Sequence, residues 1–108
     1  LSDTNRDRGH VLENVVYLEL RRRGYTVYVG QLTKGEIDFV AQKPGGILEY
    51  YQVSESVLDP TTRDRELAPL EAVKDQYPKY LLTMDELYKS HNYNGIQQCN
   101  VLDWLLGM

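Results

Sequence analysis

Three short extended runs follow one another closely after a helix-patterned opening, and this spacing narrows the possible folds more than any other feature of the chain. Tyr25–Val29 (YTVYV) is dense in β-branched and aromatic residues, which suit a pleated, half-buried surface. Glu36–Gln42 (EIDFVAQ) alternates Ile37, Phe39 and Ala41 against Glu36, Asp38, Val40 and Gln42, the period of a strand. Ile47–Val53 (ILEYYQV) follows across Lys43-Pro44-Gly45-Gly46, a hairpin-length turn. Links this short can join only antiparallel neighbours. The three runs therefore predict a meander in which Glu36–Gln42 pairs with Ile47–Val53.

A helix is predicted before them over Asp7–Arg23. Val11, Leu12, Val15 and Leu18 recur at helical spacing, and Gly24 follows as a C-terminal glycine would. That spacing makes Val11, Val15 and Leu18 the expected contact with the sheet. Arg21, Arg22 and Arg23 fall in the last turn, where the helix dipole favours cations. A second helix is predicted to start near Asp59–Thr62, with a kink or a break at Pro69, which lacks a backbone donor. Lys79–Thr83 (KYLLT) reads as a buried strand, Tyr88–Gly95 as a loop, and Ile96–Val101 as a further strand before the apolar Asp103-Trp104-Leu105-Leu106. The predicted class is α/β, with an α-β-β-β-α-β core and a mixed central sheet flanked by helices.

At 108 residues the chain is the size of one domain, residues 1–108, with room for one core. It does not begin with Met, since its methionines are Met84 and Met108, and it is expected to be a piece of a longer protein. No apolar run approaches the roughly 20 residues that span a bilayer, so no membrane partner is expected. Cys99 stands alone, which excludes an internal disulfide and a cysteine-based zinc site and points to the cytoplasm. A formal charge of −4 weighs against a dedicated nucleic-acid binder. It leaves room for a local basic patch, for which Arg21, Arg22, Arg23, Lys34, Arg63 and Arg65 are the candidates.

The residues most suggestive of chemistry are acidic. Glu36 and Asp38 stand two apart on a strand and so share a face, an arrangement that can hold a hard divalent ion through oxygen ligands. The plain alternative is a solvated acidic strand end. Glu13 lies beside Val16 and Leu20 on the first helix, where a carboxylate needs a partner or an ion; it reads equally as a solvated helix-face residue. Gln52 falls on the strand face of Leu48 and Tyr50, with Glu49 on the other. The glycines of Gly30-Gln-Leu-Thr-Lys-Gly35 have phosphate-loop spacing, but Glu36-Ile37 replace the lysine and hydroxyl residue such a loop requires. No ATP site is expected here. His10 and His91 read as surface residues and Cys99 as an inert buried thiol.

In its order of elements and acidic residues the chain resembles the PD-(D/E)XK (restriction-endonuclease-like) nuclease superfamily. It resembles more closely the C-terminal domain of unknown function that follows the AAA+ module in many prokaryotic predicted ATPases. The residues that carry this are Arg8-Gly9, Leu12-Glu13-Asn14, Leu20 to Gly24, Gly35-Glu36-Ile37-Asp38-Phe39-Val40, Tyr51-Gln52-Val53, Arg65-Glu66-Leu67 with Pro69-Leu70, Tyr77 to Thr83, Gly95-Ile96 and Asp103 to Leu106. The resemblance implies that Asp38 matches the metal-binding aspartate and Glu13 the helix glutamate. Asp38, Glu36 and Glu13 would then bind Mg2+ or Mn2+ weakly.

The third strand departs from the pattern. Tyr50 and Gln52 stand where the nucleases carry an acid and a lysine. A phenol with a pKa near 10 stays protonated at neutral pH, and glutamine brings an oxygen but no charge. Glu13, Asp38 and Gln52 thus form a degenerate catalytic set, with Glu49 one residue out of register. The resemblance implies an accessory or interaction domain partnered by an N-terminal ATPase module and acting on or near DNA. Two alternatives stand beside it: a magnesium-dependent DNA endonuclease with a reworked site, and a structural tail packing on its own ATPase.

Overall fold

The computed structural model describes residues 4–32 and 35–107. Its elements are α1 (Thr4–Arg22), β1 (Thr26–Leu32), β2 (Gly35–Gln42), β3 (Leu48–Val53), α2 (Pro60–Glu71), β4 (Lys79–Thr83), β5 (His91–Tyr93), β6 (Ile96–Asn100) and α3 (Val101–Leu105). The strands form one mixed sheet in the order β1-β2-β3-β4-β6-β5. The expected meander is present, with β1–β2 and β2–β3 antiparallel. After α2 crosses over, β4 pairs parallel with β3 and β6 parallel with β4. The stretch read as a loop over Tyr88–Gly95 holds strand β5, which pairs antiparallel with β6. Asn94 and Gly95 both take positive φ between them, so turn-forming residues hid a strand only three residues long.

Helices cover both faces. Val16 and Leu20 of α1 and Val101 and Trp104 of α3 pack with Phe39, Ala41, Tyr51, Val53 and Leu82. On the other face, Leu67 and Leu70 of α2 pack with Ile37, Tyr50, Leu81 and Ile96. This corrects the expected contact face of α1. Val11 and Leu18 are 61% and 64% exposed, whereas Val16 and Leu20 are fully buried. Two apolar stripes compete on this helix, and the one that also carries Glu13 turns inward. α1 ends in a Schellman arrangement: Gly24, at φ 86, donates to Arg21 O, and Tyr25 N donates to Leu20 O.

Asp59 caps α2 through its side chain on Thr61 N, and Pro60 follows at the first turn. The kink or break expected at Pro69 does not occur; the helix runs through it to Glu71. Pro69 stands in the last turn, so only one ladder bond is lost and too little helix remains to be redirected. The Lys43–Gly46 turn closes as expected, with Lys43 N donating to Ile47 O at 2.8 Å. No helix among the described residues is long and apolar enough to cross a membrane.

One departure from alternation shapes the centre of the sheet. Tyr28 pairs with Val40, but Gly30 pairs with Ile37, so β2 carries an extra residue, and Asp38 and Phe39 together stand opposite Val29. This is a β-bulge. It breaks the expected parity of Ile37 with Phe39 and Ala41, because Ile37 packs on the α2 face while Phe39 and Ala41 face α1. The strands approach closely here: a Cβ on Gly30 would lie 2.9 Å from Val40 Cγ2 and 3.1 Å from Ile37 Cβ.

The choice of α1 face is measurable. Leu20→Ala should cost about 2–5 kcal/mol in urea unfolding, and Leu18→Ala less than about 0.5 kcal/mol. A larger loss from Leu18→Ala than from Leu20→Ala would reverse the assignment.

Candidate functional site

The bulge leaves Asp38 at a fork in the sheet. Phe39–Tyr51 is the last backbone pair between β2 and β3 at this end, and beyond it side chains take over. Asp38 N–H donates to Gln52 Oε1 at 2.7 Å, and Val53 N–H donates to Asp38 Oδ2 at 2.8 Å. Gln52 is buried and its Nε2 donates to Glu66 O of α2 at 3.1 Å. Gln52 and Asp38 therefore meet, but through the aspartate's backbone rather than as two side chains on one face. The carboxylate is committed to β3.

Two more carboxylates close on the fork from opposite layers. Glu13 comes from α1, within hydrogen-bonding reach of Asp38, and Glu66 comes from α2. Burial pushes the Asp38 carboxyl up to about 7; the Val53 N–H opposes that rise, and the charges of Glu13 and Glu66 add to it. Burial also raises Glu66, with Arg65 acting against it and Glu13 with it. Asp38 thus keeps its proton well above the usual carboxylate range and, when protonated, can donate to Glu13. Glu66 received no role from sequence alone. Its signal was helical: it lies four residues before the fully buried Leu70, so its stem had to turn toward the sheet.

The other expected residues sit elsewhere. Glu36 is exposed and pairs in register with Gln31. Tyr50 donates its hydroxyl to Asp75 Oδ2 at 2.6 Å, and burial pushes its phenol up to about 12. Glu49 is buried on the α1 face, accepting from Tyr51 Oη at 2.6 Å and pairing with Lys43 at 3.1 Å. Arg22 and Arg23 both clasp Glu19 at 2.7 Å, which holds that carboxyl down at about 2. Arg23 also donates to Trp104 O at 2.8 Å, while Arg21 donates to Tyr17 Oη. The arginine triplet stitches α1 to itself and to α3. Arg63 and Arg65 lie apart from it on α2, and Lys34 lies outside the described residues.

A magnesium ion does not fit this donor set as it stands. Among the described residues no three Asp, Glu, His or Cys side chains converge closely enough to hold a metal. Asp38 Oδ2 is bound to a backbone N–H, and Gln52 turns its oxygen to another. The base-orienting lysine of the nuclease pattern has no counterpart at Gln52. What the arrangement does is join β2, β3, α1 and α2 at one point.

The chain is 44% identical over 95 residues, 88% of its length, to an uncharacterized protein of Haemophilus influenzae (strain ATCC 51907 / DSM 11121 / KW20 / Rd). It spans 22% of that protein's length, so most of the relative lies outside the match. No protein-family model matches the chain, and no solved structure matches it.

The raised Asp38 has a pH signature. The unfolded chain loses this proton near 3.8 while the fold keeps it to about 7. The stability it supplies is therefore complete below pH 4 and is lost as pH rises through 7. Asp38→Asn keeps an acceptor for Val53 N–H and a donor toward Glu13. In urea unfolding it should match the parent at pH 4 and exceed it at pH 8 by on the order of 2–4 kcal/mol. A variant less stable than the parent at pH 8 would mean that the ionised carboxylate is the favoured form.

Proposed function

We propose that this domain is a non-catalytic accessory module of a longer cytoplasmic ATPase, with the nuclease-like carboxylate site converted into a structural joint. The observation that carries the reading is the use made of Asp38 and Gln52. Asp38 Oδ2 and Gln52 Oε1 are both engaged by backbone N–H groups across the fork and Gln52 Nε2 by Glu66 O, which leaves Asp38 Oδ1 as the one oxygen of the pair open to an ion or an attacking water. A lysine at Gln52 would not repair the site, because it would remove the acceptor that Asp38 N–H requires. Binding of Mg2+ or Mn2+ at Oδ1 would have to displace the Asp38 proton, which allows only weak binding that tightens above pH 7.

The modular context rests on the resemblance and on the match to a much longer relative, of which the chain covers 22%. The exposed Val11 and Leu18 on α1 favour a protein neighbour over DNA as its partner. The arginine triplet, engaged with Glu19, Tyr17 and Trp104, offers little to a phosphate backbone.

The test is incubation of the purified domain with linear, supercoiled and branched DNA in Mg2+ and in Mn2+. No cleavage is expected from the parent or from Gln52→Lys. Cleavage that vanishes in Asp38→Ala would overturn the reading in favour of a rebuilt nuclease. Any retention of duplex DNA should be weak and lost between about 50 and about 200 mM salt, as for non-specific phosphate contacts. Duplex DNA held at physiological salt would instead make nucleic acid the principal partner.

A further inference from the structure

A concavity lies against Arg63 and Leu67 of α2. It opens between α2 and the β5–β6 hairpin and encloses about 520 Å3, within the roughly 300–1,000 Å3 of small-molecule sites. Val57 and Leu67 give it an apolar floor, and Leu58 stands at its rim. Aromatic rings form one wall: His91 and Tyr93, whose centroids are 4.4 Å apart, and Tyr88, which is 82% exposed.

Tyr88 is held there at a cost. Its φ is 52°, a left-handed conformation that a tyrosine adopts only when its surroundings impose it. The buried Gln98 imposes it, donating Nε2 to Tyr88 O at 3.0 Å and accepting from Tyr93 Oη at 2.7 Å. One interior amide thus sets both sides of the aromatic wall, and the groove is built rather than incidental.

Three charged groups line it as well: the exposed Asp64, together with Asp85 and Arg63, which bear on the ligand. Asp85 is only 6% exposed and lines the groove. Its Oδ2 accepts from Val57 N at 2.9 Å, and its Oδ1 has no protein partner among the described residues. Every fully buried side-chain oxygen or nitrogen among the described residues has a partner, so Oδ1 is a solvent-reached oxygen on an otherwise nearly buried carboxylate. At such an oxygen a ligand donor can take the place of water. Arg63 lines the same groove, and its guanidinium makes no ion pair among the described residues. A basic peptide side chain would satisfy Asp85 but meet Arg63, and a simple anion would do the reverse. A flat heterocycle with an N–H edge and an attached anion satisfies both, along with the rings and the floor.

We propose that this groove binds a nucleobase together with its phosphate, as a free nucleotide or as one unit of a single strand. The base lies against Tyr88 and the His91–Tyr93 pair, an amino or ring N–H group donates to Asp85 Oδ1, and Arg63 takes the phosphate. The inference is independent of the fork and stands whether or not Asp38 supports cleavage.

Backbone amide NMR titration tests it, using AMP, GMP, CMP, UMP, short single-stranded deoxyoligonucleotides, inorganic phosphate, ribose 5-phosphate and an arginine- and lysine-containing peptide. Saturable shifts centred on Leu67, Tyr93 and Gln98 are expected from nucleotides, and weaker ones from phosphate or ribose phosphate. Tighter binding of the oligonucleotides identifies a strand as the source, and equal binding a free nucleotide. Tyr88→Ala and Arg63→Ala are surface changes that leave the core intact, and each should weaken binding about five- to hundredfold, the range of a lost base stack or charge contact. Asp85→Asn keeps an acceptor for Val57 N–H but removes the anionic acceptor, and it should weaken all four nucleotides, since uracil N3–H and the amino groups of the other bases can each donate to Oδ1. The proposal fails if no nucleotide or strand gives saturable shifts in the groove. It also fails if phosphate alone binds as well as nucleotides, or if the basic peptide occupies the groove and nucleotides do not.

Discussion

Between Tyr28 and Gly30 the β1–β2 ladder slips by one residue, and β2 absorbs the slip by setting Asp38 and Phe39 together opposite Val29. Strands tolerate an added residue only by bending and by surrendering local backbone pairing. Both happen here, and both are used. Ile37 and Val40, three apart, pack toward the same helix, which alternation alone forbids. Backbone pairing between β2 and β3 ends one residue away, and the unpaired N–H groups of Asp38 and Val53 are recovered by side chains from the opposite strand. A split in a buried sheet would ordinarily leave costly orphaned groups. Here it instead gives Glu13 and Glu66, from opposite layers, access to a single carboxyl.

The same geometry separates what was legible in the sequence from what was not. The meander, Lys79–Thr83 and the cap at Asp59 could be read because each rests on local chemistry: a two-residue period, a proline-bounded apolar run, a side chain that bonds its own next turn. The bulge could not, because nothing in EIDFVAQ distinguishes a regular strand from one with a slipped register; the difference lies in Gly30 of the neighbouring strand, where a side chain would strike Val40. α1 misled for a related reason. Val11, Val15 and Leu18 make as good a stripe as Val16 and Leu20, and only the shape of the sheet beneath decides between them. That Glu13 needs a partner could be read from its apolar neighbours, but that the partner is Asp38 came only from the resemblance. Glu66 was missed because its burial depends on how α2 lies across the fork.

α2 is the divider of the molecule. Its Glu66 looks to the fork, while Arg63 and Leu67 look to the groove beside β5. Its one continuous body through Pro69 keeps these two environments in fixed relation, and Leu70 anchors it beneath. A cluster of carboxylates thereby stands at one environment, and aromatic rings with Asp85 and Arg63 at the other, on a chain whose net charge of −4 gives no hint of either.

The sheet order also divides the strand contacts by their span along the chain. β1, β2 and β3 meet through turns of a few residues, whereas β3 and β4 pair only after the whole chain from Val53 to Lys79 has crossed over. Closing the longer loop costs more entropy before any contact repays it. The antiparallel half of the sheet is thus built on contacts between near neighbours in the chain, and the parallel half on contacts that only a long crossover can bring together.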